Sequence, residues 1–442
     1  MSLLSYPLRV ALALSRTISA SISLIASCII VYKIVLRYRA IRRQHVVGGC
    51  VSSHATDLLE ITTYHRILLG IAIIDILHTS WAALSTLPVP ASSGVVFGHG
   101  NTASCTAQGF FIQLSSAIPL YMASLNTYFM LKIRYNVPND VICKKYEPCF
   151  HLVPVVQALT SGFVGIALKL YNPIVIPEMG CWIALYPAFC DLLGNCSRGH
   201  KLEQRLDFYV WIFGYGWLFL SFIIVFVNSV LIYTAIRSQE RRNERYLFPA
   251  SQPDSKLAYS NNFSLPLSSS QPERPSQRSR LSVNGLNSQL PSEIQIPSND
   301  ISETSHIIKT ADTNAIHCES HDLTTQENHD SGGSSSDLKF ESSQARARKE
   351  KLSRIAAFQS FLFCSSTFFV AFWSFMPWIA IKIKASTTAF FFFAFMVNIV
   401  NPSQGIFNLF IIVRIHYKRL RTKEKWSRLK CIQKCLFSPD IH

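Results

Sequence analysis

Asp75 stands alone in the apolar run Leu69-Gly70-Ile71-Ala72-Ile73-Ile74-Asp75-Ile76-Leu77. Burying a carboxylate there is costly, so it needs a hydrogen-bonding partner or a water-filled cavity. Asn398 and Asn401, three apart and hence on one helical face, are the natural partners. Pro402 frees a backbone carbonyl beside them and kinks the chain. Such a cluster can hold an ion or a proton, act as a two-state element, or staple helices together. A second constellation is Ala371-Phe372-Trp373-Ser374-Phe375-Met376-Pro377-Trp378, where Pro377 loosens the backbone ladder and the rings repack in discrete steps. Gln113, Ser116, Tyr209, Trp211, Tyr215, Trp373 and Phe375 are candidate ligand-facing groups. An aromatic set with a few polar atoms suits a small organic ligand.

The elements that position these groups are seven apolar stretches, at 10–36, 63–88, 107–133, 151–171, 207–236, 354–383 and 387–413. About 20 apolar residues cross the roughly 30 Å hydrocarbon core as a helix, which satisfies its own backbone there. Apolar residues make up 49%, charged residues 15%, and Phe alone fills 30 positions, so the composition fits a chain dissolved largely in lipid. The expected fold class is an all-α membrane protein: a seven-transmembrane helix bundle with a long disordered third cytoplasmic loop and a basic membrane-surface C-terminal helix. The expected organisation is spans one to five in 1–245, the Ser-rich loop in 246–343, spans six and seven in 344–413, and a basic amphipathic tail in 414–442.

A net charge of +16 invites a nucleic-acid partner, but its placement argues against one. Arg37, Arg39, Arg42 and Arg43 fill the first loop, and Arg134, Lys144 and Lys145 the third. Arg237, Arg241, Arg242, Arg346, Arg348 and Lys349 flank the fifth, and Arg414, Lys418, Arg419 and Arg421 follow the last span. The second loop, at 89–106, has no Lys or Arg. Positive charge on alternating loops sets those loops and the C-terminus in the cytoplasm and the N-terminus outside. The fourth loop contains both signs and is neutral on this point. The first span is too long for a cleavable signal and reads as a signal anchor.

Cys105, Cys181, Cys190 and Cys196 fall on the expected outer side, where bridges persist. A Cys105–Cys181 bridge would pin the long fourth loop over the bundle and leave Cys190–Cys196 as a local pair, one of three connectivities that four cysteines allow. Asn195-Cys196-Ser197 is a glycosylation sequon in the same loop. The segment 246–343 is rich in Ser, Asn, Gln and Pro and cannot bury enough apolar surface to order itself. Ser276, Ser279 and Ser282 lie among arginines there, as phosphorylation candidates or plain linker serines. Residues 414–435 suit a helix along the inner leaflet, and Cys431 and Cys435, four apart, are palmitoylation candidates or simply unmodified thiols.

The pattern resembles a G-protein-coupled receptor over all seven stretches. Leu69 to Asp75 is similar to the second-helix aspartate motif of that superfamily. Ser374-Phe375-Met376-Pro377 is similar to its sixth-helix aromatic-x-Pro switch, with Phe375 where Trp is commoner. Asn401-Pro402 is shared with rhodopsin-like receptors, while Gln404-Gly405-Ile406-Phe407-Asn408 and Gly180-Cys181-Trp182-Ile183 look more like the cyclic-AMP-receptor and secretin-like branches. Departures mark a divergent member. Lys132-Ile133-Arg134-Tyr135 replaces Asp-Arg-Tyr, the fourth stretch lacks its usual Trp, and the fifth lacks its proline. The resemblance implies an unknown, small-molecule extracellular ligand and a sixth helix swinging about Pro377. It also implies a heterotrimeric G protein engaging Arg134 and Tyr135, with a place in the plasma membrane and contact with membrane lipid. It makes the Asp75 cluster a switch rather than a staple. No cofactor, metal or catalytic residue is implied.

Other classes fit less well. Retinal-based sensing needs a mid-span lysine, and 387–413 contains none. A membrane metallohydrolase needs converging His and carboxylate ligands, whereas His78 is the one histidine well inside a stretch. A transporter or channel using Asp75 and Asn401 as an ion or proton site is the alternative, although no internal repeat is visible.

Overall fold

The computed structural model of this chain describes residues 5–46, 62–174, 180–187, 190, 196–199, 206–247, 335–384, 386–424 and 426–437. Helices α1 (Tyr6–Val46) and α2 (Thr63–Ala83) lie side by side. The third apolar stretch forms two helices, α3 (Thr102–Leu114) and α4 (Ala117–Ile133). Next come α5 (Asn139–Ala167), with a π turn at Ile142–Tyr146, and α6, built from Leu206–Val210, a π turn at Trp211–Tyr215, and Gly216–Leu247. The chain ends with α7 (Ser335–Lys382), α8 (Thr387–Val400), a 3-10 turn at Asn401–Ser403, α9 (Gln404–Glu424) and α10 (Arg428–Phe437).

Among the described residues, six helices are long and apolar enough to cross a membrane: Tyr6–Arg43, Thr63–Ala83, Asn139–Ala167, Phe208–Arg242, Arg354–Pro377 and Thr387–Arg414. The architecture is that of a multi-pass, mostly helical membrane protein. The expected third span is not in that set, because its halves are 13 and 17 residues long. Pro119 explains the break. It has no N–H to give the Ser115 carbonyl, which instead accepts from Ile118 at 2.9 Å, and the chain tightens to i→i+3 bonds through Ser115 and Ser116. Even so, α4 is deep in the core, with Leu120, Tyr121, Met122, Ala123 and Leu125 all buried.

Polar side chains are buried within the apolar core of the bundle, and its exterior is apolar. On α1, Ser19, Ser23 and Ser27 are buried while Ile18, Ile22 and Ile25 each expose more than half of their surface. An apolar exterior of this extent is incompatible with water and suits lipid. Polar contacts therefore carry much of the helix-to-helix adhesion, since lipid is as apolar as Leu. The Asn126 amide of α4 donates to Ser360 Oγ and Cys364 Sγ of α7, both at 2.8 Å. Arg354 of α7 pairs with Glu240 of α6 at 3.6 Å. At the same end of the bundle, Glu147 of α5 accepts from Thr63 (2.7 Å) and Arg66 of α2.

At the opposite end sits a short antiparallel hairpin that the all-α expectation missed. Its strands β1 (Tyr171–Ile174) and β2 (Gly180–Ile183) pair Tyr171 with Ile183 and Ile174 with Gly180. Both bridges take the expected pairing, Cys105–Cys181 and Cys190–Cys196. Tyr171 is wedged against Gly109 of α3, where a Cβ would lie 2.6 Å from the Tyr171 side chain. Its hydroxyl donates to the Gly162 carbonyl at 3.0 Å, and burial pushes this phenol well above its usual pKa, keeping it a donor.

Other boundaries also moved. α5 starts at Asn139, well before the expected 151, because Glu147 is neutralised by Arg66 rather than exposed to solvent. α7 starts at Ser335, inside the segment expected to be disordered, while residues 248–334, with Ser276, Ser279 and Ser282, lie outside the described residues. The basic tail is two pieces: α9 continues the last span to Glu424, and α10 follows.

Candidate functional site

The Asp75 carboxylate is fully buried between α1, α2 and α9. Its Oδ2 accepts from Ser27 Oγ at 2.5 Å and Ser23 Oγ at 3.5 Å. Ser23 Oγ in turn accepts the Gly405 backbone N–H at 3.0 Å. One turn away, Ser19 Oγ donates to the Ile399 carbonyl at 2.5 Å and lies 2.9 Å from Ser403 Oγ. A serine ladder on α1 thus joins Asp75 to both ends of the 3-10 turn at Asn401–Ser403. That turn exists because Pro402 cannot donate to the Asn398 carbonyl. Gly405 is what lets α9 come so close, as a Cβ there would lie 2.5 Å from Asp75 Oδ2 and 2.7 Å from Ser23 Oγ.

The two asparagines of the expected cluster lie on either side of the joint between α8 and the 3-10 turn. Asn398 is fully buried on α8, Asn401 opens the 3-10 turn, and Gln404 donates to Asn408 at 3.0 Å. Ser23 and Ser27, which hold the carboxylate, were missed, although Ser19, Ser23 and Ser27 at intervals of four mark one helical face. Oδ1 of Asp75 finds no hydrogen-bond partner among the described residues, so the group retains capacity for a proton or a cation.

The ligand-facing candidates divide into two groups. Gln113 and Tyr215 meet through Trp182 of the hairpin. The Trp182 Nε1–H donates to Gln113 Oε1 at 2.8 Å, and its ring packs edge-on to Tyr215 with centroids 6.4 Å apart. Tyr215 in turn packs on Phe375 of α7 at 4.7 Å. A continuous path of side chains therefore runs from hairpin to α3, α6 and α7. Tyr209 packs with Phe213 under the hairpin, and Trp211 packs on Tyr215 while remaining partly exposed. The others point elsewhere: Ser116 donates to Gln157 of α5 at 3.0 Å, and Trp373 packs against Phe392 and Phe393 of α8. Pro377 is buried within an unbroken α7.

Gln113 has no spare donor, since its two amide N–H groups go to Ser161 Oγ (3.2 Å) and the Phe213 carbonyl (2.7 Å). Gln113→Leu would strand the Trp182 indole and that carbonyl. We expect a loss of roughly 2 kcal/mol, read as a lower melting temperature of the purified protein. Gln108 does the same work one turn earlier, donating to the Ser85 carbonyl at 2.6 Å and accepting the Cys181 N–H at 3.0 Å.

At the other end, Arg134 is exposed, contacts Thr234 of α6 at 3.4 Å and lies over the Tyr135 ring at 5.7 Å. Cys431 and Cys435 are fully buried against Leu420, and burial pushes the Cys435 thiol pKa up. Acylation of either requires α10 to lift away first. The Asn195 sequon position lies outside the described residues. No protein-family model matches the chain, and no curated protein matches it.

Proposed function

We propose that this chain is a divergent G-protein-coupled receptor that passes an extracellular, small-molecule signal to a cytoplasmic heterotrimeric G protein by helix rearrangement. The observation that carries the reading is the Asp75 core. It links α1 and α2 to the last span at the one place where that span is interrupted, through hydroxyls that can exchange partners. A carboxylate held by two serines beside a proline-made turn can be released by exchange of hydroxyl partners, which is what a switch requires. In this reading α3 and α4 together make the remaining crossing, the N-terminus is outside, and the protein resides in the plasma membrane. Ligand acts along the Trp182–Tyr215–Phe375 path, and α7 moves about Pro377. The G protein meets Arg134, Tyr135 and the basic ends of α6 and α7.

The test is nucleotide exchange on purified G protein, measured without agonist in reconstituted vesicles. Asp75→Asn keeps the shape and removes the charge. It should change basal exchange by roughly tenfold, within the 5–150-fold range of ordinary allosteric coupling, while surface expression persists. Basal exchange identical to the unaltered protein would remove Asp75 from the switch. Tracer flux abolished by Asp75→Asn, with no exchange at all, would establish a transporter instead.

A further inference from the structure

Arg16 of α1 and His78 of α2 are each only 3% exposed. Nε and Nη1 of Arg16 and Nδ1 of His78 are buried and find no hydrogen-bond partner among the described residues. The guanidinium is close enough to the imidazole to interact with it electrostatically. A guanidinium kept from water without a countercharge is among the costliest arrangements a helix bundle can hold.

Asp75 does not provide that countercharge. Its Oδ2 is held by Ser23 and Ser27, seven and eleven residues beyond Arg16, which is roughly 10–17 Å along the α1 axis at about 1.5 Å per residue, and its Oδ1 makes no hydrogen bond to Arg16. On the hairpin side, Ser85 is satisfied by the Ala13 carbonyl at 3.0 Å, while the adjoining Thr86 Oγ1 is buried and likewise without a partner among the described residues. The Arg16 nitrogens can only donate, and the His78 Nδ1 and the Thr86 hydroxyl can donate as well.

The geometry points to a binding site for one small anion, of chloride's size and charge, held between Arg16 and His78. The guanidinium supplies the charge and two N–H groups, and the neutral imidazole donates from Nδ1. Both residues are almost sealed from the surface, which favours a compact monovalent ion over an organic acid. His78 lies one helical turn after Asp75 on α2, so the site adjoins the Asp75 core, but it does not depend on coupling to a G protein.

The experiment is thermal unfolding of the purified full-length chain in detergent, followed by tryptophan fluorescence. Chloride is titrated against gluconate at fixed ionic strength. The melting temperature should rise saturably, by roughly 5 °C at a hundredfold excess over the dissociation constant. Arg16→Gln should abolish the rise and be at least as stable as the unaltered protein in gluconate, because an uncompensated charge is gone. His78→Phe should weaken the response without abolishing it. Identical melting in the two salts for the unaltered chain would overturn the site, whatever the variants do. So would a full chloride response in Arg16→Gln, and a larger shift with acetate or phosphate would overturn the size assignment.

Discussion

Replacing Cys105 and Cys181 together by alanine is expected to destabilise the protein by about 3 kcal/mol and to lower its melting temperature by roughly 5 °C. The bridge spans 76 residues of sequence. A free loop of that length gives roughly 4.5 kcal/mol by chain entropy. Part of that is already forgone, because α5 and most of α3 and α4 lie inside the loop and stay inserted in the membrane when packing is lost. The bridge also holds Gln108 and Trp182 at their partners, so the hairpin should loosen as a unit. Adding Gln113→Leu to the double alanine variant should therefore cost less than it does alone. The Cys190–Cys196 bridge is the internal control. It closes only 6 residues, and its removal should cost about 1 kcal/mol less. Equal melting of the two variants would mean that the hairpin contributes nothing to the fold.

The second large effect is expected at Gly405. Gly405→Ala places a methyl among Asp75 Oδ2, Ser23 Oγ and Ser27 Oγ, all buried. α9 must then retreat from α1 and α2, at a cost of about 3 kcal/mol, the upper range for forcing an extra carbon into a packed core. Ser27→Ala alone should cost about 2 kcal/mol, the value of a hydrogen bond to a carboxylate. It also removes the atom nearest to the new methyl. The combined variant should accordingly be more stable than the sum of the two single losses predicts, by at least about 1 kcal/mol. Strict additivity, measured by thermal unfolding, would show that Gly405 and Ser27 do not share a space.

Six of the seven apolar stretches were legible as membrane-length helices because lipid rewards unbroken hydropathy, and the disulfide pairing was the preferred one of the three that four outer cysteines allow. The break in the third stretch was legible too, in Pro119, but hydropathy averages across a proline without registering it. The hairpin escaped because two four-residue strands have too few residues for a period of two to show, and they are held by Cys181, Gln108 and Tyr171 rather than by propensity. Asp75 announced itself as a lone charge in an apolar run. Ser23 and Ser27, which hold its Oδ2, did not, since serines are common and chemically quiet, and only their spacing of four sets them on one face. Arg16 and His78 were likewise isolated in sequence, and only the packing of α1 on α2 brings them together.

The joint at Ser115 and Ser116 divides the third stretch mechanically. α3 is bolted to the hairpin by a covalent bridge and two amides, whereas α4 is tied to α7 through Asn126. A continuous rod would transmit every tilt from one end to the other. Two short rods on a proline-made pivot transmit displacement but let torque dissipate, so rotation at the hairpin and rotation at Arg134 are separate degrees of freedom.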